Sequence, residues 1–124
     1  MVGMLNRIIV FVSNPIRTAT FYRDVFELEP IEPWTSDLAQ LETGSARLAF
    51  HQAYDNDGPV GKPTGSAGDP HKIVFQVEDV AATRTLLISR GADLAEIRSE
   101  ADVDGLVMCD GVDPEGCRFQ ICNQ

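Results

Sequence analysis

A chain of 124 residues, 44% of them hydrophobic and 23% charged, suits one domain with a sizeable core. Its formal net charge of −9 excludes the basic footprint that nucleic acid or an anionic membrane surface demands of a partner. No apolar run approaches the roughly 20 residues of a membrane span. The N-terminal stretch also lacks the charged, apolar and small-residue sections of a secretory signal, so a cytoplasmic protein with no nucleic-acid and no membrane partner is expected.

Ile8 to Val12 reads as a strand. Asn14-Pro15 then predicts a helix start, with Asn as N-cap and Pro at the first helical position. Ile16, Ala19, Tyr22, Val25 and Phe26 follow on one helical stripe. Pro30 and Pro33 confine Glu29 to Thr35 to an edge strand or an irregular one. Leu38 to Leu41 and Ala46 to Gln52 predict a hairpin around Thr43-Gly44-Ser45. Residues 53–70 hold four Gly and three Pro and read as a loop, either a hinge between modules or a lid.

A second unit opens at His71. Lys72 to Val77 predicts a strand, Asp79 an N-cap, and Val80 to Arg90 a helix closed by Gly91. Ala95 to Arg98, Leu106 to Cys109 and Cys117 to Cys122 are the remaining predicted strands, the last two flanking the turn Asp113-Pro-Glu-Gly116. The two halves are copies. Arg7-Ile-Ile-Val-Phe-Val-Ser-Asn14 and Lys72-Ile-Val-Phe-Gln-Val-Glu-Asp79 each run from a basic residue through an apolar strand to a capping residue, and the copies stand about half a chain apart. The expected class is α+β, a single domain over 1–124. Module 1 spans about 5–52, a linker 53–70, and module 2 about 71–123, each with the order β-α-β-β-β.

Strand alternation sorts the side chains into two faces. Ile8, Val10, Val12, Leu48, Phe50, Ile73, Phe75, Val77, Phe119 and Ile121 share one parity and are expected under the helices. The other parity carries Arg7, Ile9, Phe11, Arg47, Ala49, His51, Lys72, Val74, Gln76, Arg118, Gln120 and Cys122. Four of the chain's ten basic residues therefore lie on one face, one on each of four strands, and none of those strands carries an acidic residue of that parity. Cys109, Cys117 and Cys122 match neither a zinc knuckle nor a redox Cys-x-x-Cys, and read as buried or half-buried thiols, with a Cys109–Cys117 bridge as the alternative. Glu96, Glu100, Asp102 and Asp104 read as a solvated loop. No nucleophile with a base and an orienting acid emerges.

Five stretches in order carry a family resemblance: Ile9-Val-Phe-Val-Ser-Asn-Pro-Ile16, Phe21-Tyr-Arg-Asp-Val-Phe26, Val77-Glu-Asp-Val80, Ser89-Arg-Gly-Ala92 and Asp113-Pro-Glu-Gly-Cys-Arg-Phe-Gln-Ile121. The chain resembles the vicinal-oxygen-chelate superfamily of glyoxalases, bleomycin-resistance proteins, fosfomycin-resistance enzymes and extradiol dioxygenases. That resemblance implies two βαβββ modules in a curved, cup-like mixed sheet with helices on its outer face, and a homodimer. It departs at Glu27, where the family often ends the helix with Gly.

The superfamily's metal enzymes draw their ligands from central strands of both modules, and the resemblance puts those positions at Arg7, Ala49, Lys72 and Gln120. Cations and an alanine do not ligate a dication, so the implied branch is the metal-free one, with no cofactor. A one-residue slip would offer His71 instead, at the cost of turning Ile73, Phe75 and Val77 out of the core. The expected function is small-molecule binding or sequestration, as in bleomycin-resistance proteins. Arg7, Arg47, His51, Lys72, Arg118 and Gln120 would hold an anionic or polar ligand, with Trp34 or Phe11 as an aromatic platform. The alternative is a glyoxalase-like lyase or isomerase working through Lys72, His51 or a non-standard site.

Overall fold

The computed structural model describes residues 1–66, 68–100 and 102–124 and divides into two compact units, Met1–Thr64 and Gly65–Gln124. In the first unit, strand β1 (Arg7–Val12) leads into helix α1 (Pro15–Phe26). Strands β2 (Glu29–Ile31), β3 (Leu38–Glu42) and β4 (Arg47–Gln52) follow. They form an open sheet in the order β1-β4-β3-β2, with β1 parallel to β4 and the other pairs antiparallel. The expected loop after β4 contains a small hairpin of its own, β5 (Tyr54–Asp55) and β6 (Gly58–Pro59), turned at Asn56-Asp57. Gly58 takes the positive φ that this turn needs.

The second unit repeats the plan. Strand β7 (Ile73–Gln76) is followed by helix α2 (Val80–Ser89), β8 (Asp93–Leu94), β9 (Arg98–Ser99), β10 (Val107–Val112) and β11 (Arg118–Cys122). Its sheet runs β7-β11-β10-β8, with β7 parallel to β11 and β9 also paired to β10. This is an α+β fold of mixed, open sheets. The strand expected over Ala95 to Arg98 is displaced into two short pieces, because Asp93–Leu94 and Arg98–Ser99 pair with opposite ends of β10 while 95–97 arch between them. Strand β10 runs three residues beyond the expected Cys109, since Gly111 and Val112 pair with both neighbours.

The helix starts are built as their sequences dictate. Arg17 N–H donates to Asn14 Oδ1 at 3.0 Å, and Ala82 N–H to Asp79 Oδ1 at 2.9 Å, so each cap satisfies a donor left over by the first turn. The helix ends differ. After α2, Gly91 (φ 90) lets Ala92 N–H reach Leu87 O at 3.0 Å, a Schellman closure. After α1, Glu27 holds the left-handed conformation itself (φ 57, ψ 41).

Helix α1 lays Thr18, Ala19, Tyr22 and Val25 against β3 and β4, and the Tyr22 ring stacks on Phe50 at 5.3 Å. Val12, Leu41, Leu48 and Phe50 complete that core. The second core gathers Leu87, Met108, Cys109, Phe119 and Ile121. There Gly111 stands opposite Phe119 in the ladder, and a Cβ at Gly111 would lie 2.2 Å from the ring. The aromatic ring occupies the space that the missing side chain leaves.

Two expectations of burial fail. Ile8 is 44% exposed and Ile16 42% exposed, although both were expected against the core. Strand β1 is the edge of its sheet, and α1 packs mainly on β3 and β4, which leaves Ile8 exposed. Ile73, Phe75 and Val77, on or just beyond the equivalent edge strand β7, are half-buried.

Candidate functional site

Cross-strand register decides what each polar face assembles. In the first unit, Arg7 stands beside Arg47, Ile9 beside Ala49, and Phe11 beside His51. Two guanidinium groups side by side repel. Strand β3 relieves them: Arg7 Nη1 donates to Gln40 Oε1 at 3.1 Å, and Arg47 Nε donates to Glu42 Oε1 at 2.8 Å. Ala49, fully buried, forms the floor of the next row between Ile9 and Gln40. In the third row the Phe11 and His51 rings meet edge to face at 5.5 Å. His51 Nδ1 lies 2.9 Å from Gln52 O. A carbonyl only accepts, so Nδ1 donates this hydrogen bond.

The second unit centres on a residue the sequence reading did not name. Asp110, on β10 opposite Gln120, accepts Lys72 Nζ (3.2 Å) and Gln120 Nε2 (3.0 Å) on Oδ1 and Arg98 Nη2 (3.0 Å) on Oδ2. Burial alone would raise its carboxyl, but the hydrogen bonds from Gln120, Arg98 and Lys72 outweigh it and hold Asp110 below the ordinary carboxylate range. Arg118, two residues before Gln120 on the same face, is exposed. The four strands that carry the cations hold no acid of that parity, and the balance comes from outside them. The compensating acids stand on β3 and β10, the strands left out of the parity count, where Glu42 and Asp110 fall on the same side as the cations. Counting parity on Val107–Val112 would have found Asp110.

The remaining expected residues lie elsewhere. Trp34 sits in an open cleft of about 350 Å³ lined also by Arg23, Pro30, Glu32 and Pro33. Its indole N–H donates to Gln40 O at 3.0 Å, and the Arg23 guanidinium of α1 lies 5.5 Å from its ring. Trp34 is thus grouped with α1, not with the Phe11–His51 pair. His71 is exposed, and β7 keeps the unslipped register, with Ile73 opposite Phe119 and Phe75 opposite Ile121. A second hollow of about 400 Å³ lies over Glu100, Asp102 and Asp104, an anionic rim unsuited to an anionic ligand.

The four positions implied for a divalent ion do not fit one. Arg7 is a cation bonded to Gln40, and Ala49 has no donor atom. Lys72 is an ammonium already on Asp110, and Gln120 turns its amide N–H, not its oxygen, toward that carboxylate. The thiols serve packing: Cys109, Cys117 and Cys122 are free, so the Cys109–Cys117 bridge is not formed. Burial, with Asp113, Asp69 and Glu115 nearby, pushes the Cys117 thiol up to about 12.

Comparison with known proteins agrees with this architecture. The model of the Glyoxalase/Bleomycin resistance protein/Dioxygenase superfamily matches residues 4–121. Among solved structures, the protein SMU.1112c is similar over 98% of this chain and 99% of its own, with a TM-score of 0.77 at 22% identity. A lactoylglutathione lyase from Agrobacterium tumefaciens covers 97% and 92%, with a TM-score of 0.71 at 19% identity. The fosfomycin resistance protein FosX from Listeria monocytogenes covers 98% and 93%, with a TM-score of 0.74 at 14% identity. At these identities the likeness is one of fold. No curated protein sequence matches significantly.

Proposed function

The chain belongs to the Glyoxalase/Bleomycin resistance protein/Dioxygenase superfamily, and from that premise we propose that it is a metal-free small-molecule-binding protein, a cytoplasmic homodimer that captures an anionic or strongly polar ligand. The carrying observation is the chemistry at the four family ligand positions: Arg7, Lys72 and Gln120 offer N–H donors where a metal enzyme needs electron pairs, and Ala49 offers only a methyl group. In the first unit, Phe11 and His51 supply a flat amphipathic contact beside Arg7 and Arg47. In the second, Lys72, Arg118 and Gln120 supply donors. Exposed Ile9 and Phe11 on the first unit, and Val74 on the second, give each unit's face apolar surface of its own for a ligand's non-polar part. Trp34, covered by Arg23, is retained only as a secondary aromatic contact.

Thermal-shift titration of the purified protein with a small-molecule library, alongside divalent-ion titration and metal analysis, tests this reading. Ligand-dependent stabilisation that chelator leaves unchanged supports it. A stoichiometric transition metal whose removal lowers stability would overturn it. The half-buried His51, its ring held by the Nδ1 hydrogen bond to Gln52 O, favours a second reading as a lyase or isomerase, in line with the likeness to the lactoylglutathione lyase. Turnover of a ligand found in the titration, lost in His51→Gln, would establish that alternative.

A further inference from the structure

We propose that Lys72 and Arg98, braced by Asp110, form an oxyanion clamp in the second unit that takes the carboxylate or phosphate group of a small ligand. The proposal rests on the ligand-binding reading and specifies which group of the ligand is held, and by what. Lys72 comes from just before β7, Arg98 from β9 and Asp110 from β10, so three separate segments converge on one carboxylate.

The charges do not cancel. Two cations and one carboxylate leave a formal excess of one positive charge. The carboxylate is recessed, with its side chain 16% exposed, whereas those of Lys72 and Arg98 are 33% and 46% exposed. Solvent therefore reaches the two cations more than the carboxylate between them. Each cation commits one N–H to Asp110, and an ammonium has three N–H bonds and a guanidinium five. The remaining donors are available to an incoming oxyanion, for which a guanidinium fork is suited.

Asp110 serves as a positioning residue. It immobilises two long side chains during folding, so their conformational entropy is not lost again on binding. Gln120, on the same carboxylate oxygen as Lys72, fixes the Asp110 rotamer. The chain as a whole carries −9 and repels anions at long range, so occupancy must come from these direct bonds, not from a general positive field.

The test is an NMR titration of the full chain at constant ionic strength, using inorganic phosphate in one arm and acetate in the other. The side-chain resonances of Lys72, Arg98 and Gln120 are followed. Saturable shifts on these groups are expected, with the stronger arm identifying phosphate or carboxylate as the natural group. Lys72→Met and Arg98→Met should each weaken binding at least tenfold, Arg98→Lys by less, and Lys62→Met not at all. If both methionine variants are misfolded, Arg98→Lys and the wild-type shifts still decide the matter. Shifts that do not saturate, or that Lys62→Met abolishes equally, overturn the clamp. If library ligands stabilise the protein while Arg98→Met and Lys72→Met keep full affinity for them, the clamp is wrong and the binding reading stands. If no ligand binds at all, both fall.

Discussion

Asp110 shows how one side chain sets the character of a face. It lowers the cost of two neighbouring cations and fixes where they point, with both oxygens engaged. Its carboxyl titrates below the ordinary value, so its stabilising contribution is complete above the unfolded-state pKa of about 3.9 and is lost as pH falls through the lower folded value. Asp110→Asn is therefore expected to lose about 1–2 kcal/mol at pH 7. Denaturant curves at pH 7 and pH 2.5 check the sign: the gap between variant and parent should narrow in acid. The reverse logic governs Cys117. With its pKa raised to about 12, the thiolate is scarce at pH 8, and alkylation of the folded protein should run roughly a thousandfold slower than for an ordinary thiol of pKa about 8.5. Mass spectrometry after iodoacetamide treatment, with and without denaturant, measures this. Prompt labelling of native Cys117 would contradict the assigned burial.

At the scale of elements, the two copies of β-α-β-β-β provide an internal control, because the same device is built twice with different residues. Asn14 and Asp79 cap equivalently, and both are legible in the sequence because a cap is a contact three residues long. The helix ends separate the copies: Gly91 adopts positive φ freely, whereas Glu27 adopts it against the crowding of its own Cβ. Replacing Glu27 by Gly removes about 1 kcal/mol of strain and adds part of that back as unfolded-chain entropy. A net gain of about 0.5 kcal/mol is expected, seen as a rise in Tm of roughly 2–4 °C by calorimetry. A fall in Tm would mean that the Glu27 side chain contributes more than its backbone costs. The elements misjudged from sequence are those without a local signal. Strands β8 and β9 are two residues each and exist only because β10 is there to pair with them.

For the whole molecule, nineteen acidic against ten basic side chains imply self-repulsion that the folded state concentrates. Raising NaCl from about 20 to 200 mM shortens the Debye length from roughly 20 Å to 7 Å. The midpoint of urea unfolding should therefore rise with salt, and a fall would show that ion pairs such as Arg47–Glu42 and Lys72–Asp110 outweigh the net charge. No helix among the described residues is long and apolar enough to cross a membrane. The linear sequence by itself determined the duplicated plan, the helix caps, the Asp113–Gly116 turn and the parity of Arg7, Arg47, Lys72 and Arg118, because each depends on neighbours within a few positions. Only the tertiary structure decided that Ile8 lies uncovered at a sheet edge, that Trp34 stands under Arg23, and that Lys72, Arg98 and Gln120 converge on Asp110. Those outcomes depend on register between strands far apart in the chain. Packing of the whole sheet fixes that register, and no local pattern encodes it.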